Sequence, residues 1–100
     1  MKILSLKGTV LYDGKKLDEN SEIIFGETME STTGSVTIEI PEYGAKIQVR
    51  QRSKLALFKK KNQIDLRKGS LMVEKSKGKN FSIHSKNAAI QVMNLSLIHI

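Results

Sequence analysis

The stretch Ser35-Val36-Thr37-Ile38-Glu39-Ile40-Pro41, followed by Ala45-Lys46-Ile47-Gln48-Val49-Arg50, decides the fold. Val36, Ile38 and Ile40 alternate with Thr37 and Glu39, and Ile47 and Val49 alternate with Lys46, Gln48 and Arg50. A period of two puts one face of each segment in a core and the other in water, which is the signature of a β-strand. Pro41 closes the first strand, because it has no N–H to give to a ladder. Outward from this pair the pattern repeats in Leu55/Leu57, Ile64/Leu66, Leu71/Val73, Phe81/Ile83 and Ile90/Val92. Strand centres fall about 8–10 residues apart, as in all-β domains. Turn formers lie between them: Asp13-Gly14, Thr33-Gly34, Tyr43-Gly44, Lys61-Asn62, Lys68-Gly69, Lys77-Gly78 and Lys86-Asn87. Asp13-Gly14 is the strongest hairpin signal, since a type I′ turn needs positive φ at both central residues. No segment carries a 3.6-residue apolar stripe. The expectation is an all-β fold of many short strands in a β-roll, a solenoid-like stack or a sandwich, with essentially no helix.

Length and composition narrow the classes further. One hundred residues make one small domain. Hydrophobic residues at 39% and charged residues at 27% are globular values. No apolar run approaches the roughly 20 residues that span a bilayer as a helix. Zero Cys removes disulfides, thiolate metal sites and Cys nucleophiles. The first residues, Met1 to Gly8, lack the continuous apolar region of a secretory signal. The last six, Leu95-Ser96-Leu97-Ile98-His99-Ile100, read as the conceptual translation of a transposon-based sequencing adapter's end. The domain is therefore expected over 8–94, incomplete at its C-terminal side, with 95–100 foreign to it.

Six elements in order resemble the FecR-like domain. Val10 to Gly14, then Lys15-Lys16-Leu17-Asp18-Glu19-Asn20-Ser21-Glu22-Ile23, is similar to its opening strand, leucine, polar turn and acidic residue. Gly34-Ser35-Val36-Thr37-Ile38-Glu39-Ile40 and Tyr43-Gly44-Ala45-Lys46-Ile47-Gln48-Val49 resemble its next two turn-and-strand units. Ser53-Lys54-Leu55-Ala56-Leu57 resembles its Ser-x-Leu-x-Leu element, and Leu66-Arg67-Lys68-Gly69-Ser70-Leu71-Met72-Val73 its Leu-x-x-Gly-x-Leu-x-Val signature. Phe81-Ser82-Ile83-His84-Ser85 with Ala88-Ala89-Ile90-Gln91-Val92 is similar to its last segment. The likeness spans 8–93 and departs at two places: Tyr43 stands where members carry Asp or a small polar residue, and Met93-Asn94 replaces a Gly-Thr pair. The resemblance implies a non-catalytic module in the periplasm or outside the cell. There it senses or binds at the envelope and, in regulators, relays a signal to a sigma factor.

Catalytic and metal chemistry find little footing. His84 falls on the wet parity, with no second His or Cys inside the domain to complete a zinc site. The acids Asp18/Glu19/Glu22 and Glu27/Glu30 lack the regular spacing of a Ca²⁺ loop. No Gly-rich phosphate cradle occurs, and no serine has an evident His–acid partner. The chain reads as a non-enzyme without a cofactor.

The feature that stands out is charge. The net charge is +7, but residues 1–45 hold four Lys against eight acids, and residues 46–79 hold twelve basic residues against Asp65 and Glu74. Arg50, Arg52, Lys54, Lys59, Lys60, Lys61, Lys75, Lys77 and Lys79 are the candidate polyanion- or partner-binding residues. In a stack of short strands their turns would line up as one cationic ridge, suited to an anionic envelope polymer or an acidic protein. Nucleic acid is the weaker match, because the aromatics Tyr12, Phe25, Tyr43, Phe58 and Phe81 are scattered rather than grouped for base stacking. The alternatives are a structural β module of a larger surface protein and a small basic nucleic-acid-binding β domain. Oligomeric state is left open.

Overall fold

The computed structural model describes residues 1–24, 26–85, 89–92 and 96–99, the last two stretches as backbone strands. Phe25, the Lys86-Asn87 turn and the Met93-Asn94 junction lie outside the described residues. The strands are β1 (Lys2–Lys7), β2 (Val10–Tyr12), β3 (Lys15–Lys16), β4 (Thr28–Ser31), β5 (Ser35–Ile40), β6 (Ala45–Val49), β7 (Ser53–Lys60), β8 (Gln63–Lys68), β9 (Ser70–Lys75), β10 (Phe81–His84), β11 (Ala89–Val92) and β12 (Ser96–His99). A single 3₁₀ turn, Pro41–Tyr43, is the helical element among the described residues, and none is long and apolar enough to cross a membrane. The fold is all-β, as the alternation requires.

Two sheets form, in the orders β1-β5-β6-β9-β12 and β11-β10-β8-β7-β4-β2-β3, and neither closes into a barrel. Pairings are antiparallel except β8 with β10, which run parallel. Of the arrangements the period admits, the sandwich is the one adopted. The inward rows Val36/Ile38/Ile40, Ala45/Ile47/Val49 and Leu71/Val73 of the first sheet meet Val10, Met29, Leu55, Leu66, Ile64 and Ile83 of the second in one apolar cluster. Fully burying a Leu, Ile, Val or Phe side chain stabilises by about 1.5–3 kcal/mol, so these rows carry the fold. The Asp13-Gly14 turn has the positive φ pair, 52° and 77°, that a type I′ hairpin needs.

The chain shuttles between the sheets, and this fixes two distinct ends. At one end it crosses from sheet to sheet through Gly8-Thr9, Thr32–Gly34, Arg50–Arg52 and Gly69. At the other, among the described residues, it turns back within a sheet at 41–44 and 61–62 and crosses through 76–80. The outer edge of β9 accepts Ser96–His99 as β12, pairing Val73 with Ser96 and Ser70 with His99. An open strand edge offers its N–H and C=O groups to any extended segment.

One strand breaks the alternation. In β7, Leu55, Ala56, Leu57 and Phe58 are all buried in succession. Between the register pairs Ala56–Asp65 and Lys60–Gln63 the strand carries two more residues than its partner, a bulge in which Phe58 has φ 49°. The bulge turns the Phe58 ring back to the interior.

Candidate functional site

The segment Glu42-Tyr43-Gly44 is the hub of the hairpin end. Pro41 starts the 3₁₀ turn with its φ preset, and Gly44 ends it in the left-handed region at φ 57°. A Cβ on Gly44 would run into the Lys77 carbonyl oxygen, so the 76–80 segment lies backbone to backbone on this turn. Hydrogen bonds tie the two together. The Ser76 N–H donates to the Gly44 carbonyl at 2.8 Å, and the Lys79 N–H donates to the Glu42 carbonyl at 3.0 Å. The Tyr43 hydroxyl donates to Asn62 Oδ1 at 2.6 Å and so holds the 61–62 turn to the same hub.

Beneath the hub, Tyr43, Phe58 and Phe81 form an aromatic trio. Tyr43 stacks on Phe58 at a centroid distance of 4.8 Å with planes 10° apart, and Phe81 meets both edgewise at 5.1 and 6.0 Å. These are the offset and T-shaped arrangements that ring quadrupoles favour. Three of the five aromatics therefore converge, correcting the scattered distribution expected from the sequence. Tyr43 and Phe58 are only 3% and 7% exposed, so their faces serve the core and form no stacking platform.

Lys75 lies inside. It is 8% exposed, and its ammonium donates to three backbone carbonyls: Tyr43 at 3.0 Å, Ser76 at 3.1 Å and Gly78 at 3.1 Å. All three of its protons are used, which is how a buried ammonium is made tolerable. Lys75 is thereby withdrawn from the expected cationic ridge.

The ridge itself is divided. Arg50, Arg52 and Lys54 sit at the crossing end, where Lys54 pairs in register with Lys68 and Lys68 lies 3.7 Å from Glu30. Lys60, Lys61, Lys77 and Lys79 are exposed at the hairpin end; the Lys59 side chain lies outside the described residues. Along β7, the six steps from Lys54 to Lys60 at about 3.3 Å each separate the two groups by roughly 20 Å. Turns in an antiparallel sandwich alternate between ends, whereas those of a solenoid align along one edge. The expectation of a single ridge fails on that geometry.

At the hairpin end the exposed charges surround an open depression of about 210 Å³, lined by Glu42, Lys60, Lys61, Asn62 and Lys79 above the rims of Tyr43 and Phe58. Lys79 Nζ donates to Glu42 Oε1 at 3.0 Å. That hydrogen bond first, and the Glu42 charge second, hold the Lys79 ammonium above the ordinary lysine range. Burial raises the Tyr43 hydroxyl, with the Glu42 charge adding to it and Lys79 opposing. Sequence reasoning missed Glu42, Tyr43 and Asn62. The signal for Tyr43 was its place before Gly44 where a small polar residue was expected.

Elsewhere the surface is less organised. His84 is half-buried, with Nε2 3.0 Å from Ser82 Oγ, and it borders an open depression of about 410 Å³ with Asp65 and Arg67. In the register of the parallel pair, Ser82 lies opposite Gln63 and His84 opposite Asp65. Of the acids read as a candidate Ca²⁺ cluster, Asp18 caps its own turn by accepting the Asn20 N–H, and Glu30 faces Lys68. Among the described residues no three His, Asp or Glu side chains group as metal ligands. Comparison of the chain with protein families, with curated proteins and with solved structures finds no match.

Proposed function

We propose that this domain is a non-catalytic binding module of the FecR-like kind, working outside the cytoplasmic membrane in signalling or envelope attachment, and that its ligand is anionic. The observation that supports an anionic ligand is the hairpin end. Two lysine-bearing turns are fixed to one hub by backbone packing and by the Tyr43 hydroxyl, so the backbone that carries these charges has little ordering left to do on binding. Cationic groups carried on fixed turns around an open depression suit a phosphate- or carboxylate-rich polymer. Burial of the Tyr43 and Phe58 faces disfavours a nucleic-acid ligand, since single-strand binders add exposed aromatics.

Titration of the domain with inorganic polyphosphate at two salt concentrations tests the ligand class. Binding that weakens with salt, and that weakens further in the Lys60→Gln/Lys61→Gln double variant, is the expected result. No binding at low salt overturns it. Fractionation of the source cells with an antibody to the domain tests the location; recovery in the cytosol overturns the extracytoplasmic placement.

A further inference from the structure

The depression at the hairpin end contains its own anion. Among the described residues that line it three are lysines, Lys60, Lys61 and Lys79, and the acid is Glu42. The Glu42 carboxylate is hydrogen-bonded to the Lys79 ammonium at 3.0 Å, and both side chains are largely in solvent, with 42% and 66% of their surfaces exposed. Below them the Lys75 ammonium spends its protons on carbonyl oxygens, so its charge is held by dipoles. Resting on the anion-binding reading above, we infer that Glu42 is an internal competitor for the site: its carboxylate occupies on Lys79 the place that a phosphate group of a linear anionic polymer would take, and it sets the affinity by having to be displaced.

The backbone makes this contact a standing one. Glu42 and Lys79 are also joined through the Lys79 N–H and the Glu42 carbonyl at 3.0 Å, so the two side chains leave from a shared anchor and stay within reach of each other. The side-chain pair is nonetheless easy to break, because an exposed ion pair in high dielectric is worth little. A depression of about 210 Å³ has room for one phosphate group among its lysines and is too small for a folded chain. The polymer would lie across the mouth, with one group between Lys79 and the Lys60-Lys61 pair.

The test compares Glu42→Gln with the wild type by calorimetric titration of medium-chain inorganic polyphosphate. Glu19→Gln, which removes the same charge from an exposed position beside β1, is the control. The expected result is about two- to fivefold tighter binding in Glu42→Gln, the size of an exposed ion pair. Its slope of log affinity against log salt should be steeper by about 0.7, for one more lysine engaged. Glu19→Gln should stay close to the wild type. Equal gains in both variants would overturn the inference, showing an effect of net charge alone, while leaving the anion-binding reading intact. Absence of binding in wild type and Glu42→Gln alike overturns that reading and the inference with it. An oligothymidylate of equal charge that binds more tightly than polyphosphate would reassign the ligand class to nucleic acid.

Discussion

At the crossing end of the sandwich the buried polar groups are met by hydroxyls, and at the hairpin end by an ammonium. Ser31 Oγ donates to the Arg50 carbonyl and accepts the Ser53 N–H at 3.1 Å. Ser53 Oγ donates to the Ser70 carbonyl and accepts the Ser70 N–H, both at 2.9 Å. Two small neutral side chains thus sew three crossings together, with Arg52 exposed and Arg50 half-buried beside them. At the hairpin end the hub carbonyls take Lys75 instead. A hydroxyl both gives and accepts, so it can bridge N–H and C=O groups of neighbouring strands. An ammonium only gives, so it gathers carbonyls and brings a charge with it. Both ends carry basic residues on their surface, but among the described residues only the hairpin end holds a charge inside its packing.

Four substitutions would break or sharpen this contrast. The largest effect is expected from Phe81→Ala, which removes the ring that meets both Tyr43 and Phe58. It should destabilise by about 3–5 kcal/mol in urea unfolding. A loss below about 1 kcal/mol would mean that the trio does not hold the hairpin end together.

Next comes the pair that puts hydroxyl against ammonium. Lys75→Met keeps the alkyl volume and leaves three carbonyls without their donor, and should lower stability by about 2–4 kcal/mol. Ser53→Ala, which strands one donor and one acceptor, should lower it by about 1–3 kcal/mol. If Lys75→Met is neutral or stabilising, the desolvation of the ammonium outweighs its hydrogen bonds, as it does for some buried charges.

The smallest effect belongs to Tyr43→Phe, which keeps the stacked ring and removes the bond to Asn62, for about 0.5–1.5 kcal/mol near neutral pH. It also has a pH signature. The Tyr12 and Tyr43 hydroxyls and the Lys79 ammonium are all raised above their ordinary values of 10.0, 10.0 and 10.5. The folded state therefore binds more protons than the unfolded one in this range. Stability is full below about pH 10 and falls as pH climbs through the raised values. Thermal melts of Tyr43→Phe between pH 8 and 11 should fall less steeply than the wild type's; identical slopes would remove Tyr43 from the alkaline transition.

What the sequence made legible follows from its parity. The rows Val36/Ile38/Ile40 and Ile47/Val49, the Asp13-Gly14 hairpin and the stop at Pro41 all rest on local rules, and the structure has them in place. Lys75 was legible too, since it continues the inward parity of Leu71 and Val73; its charge argued for water, and three carbonyls outweigh that. Phe58 was not legible, because alternation in Ser53-Lys54-Leu55-Ala56-Leu57-Phe58 points it outward and only a bulge against β8 returns it. The site failed for a reason of topology. Which turns share an end depends on how strands reverse and change sheets, and spacing along the chain does not record that.

The parallel pairing of β8 with β10 has a consequence in time. Between these strands the chain leaves for the other sheet as β9 and returns through the 76–80 segment, so the β8–β10 pairing closes a loop that contains a strand of the opposite sheet. Neighbours in each sheet are mostly distant in sequence, and closure entropy must be met before such contacts reward it. Folding belongs in the millisecond-to-second range typical of non-local β topologies. The strand that brings Phe81 to the aromatic trio is held by one of these non-local closures, so the hub shares in their cost.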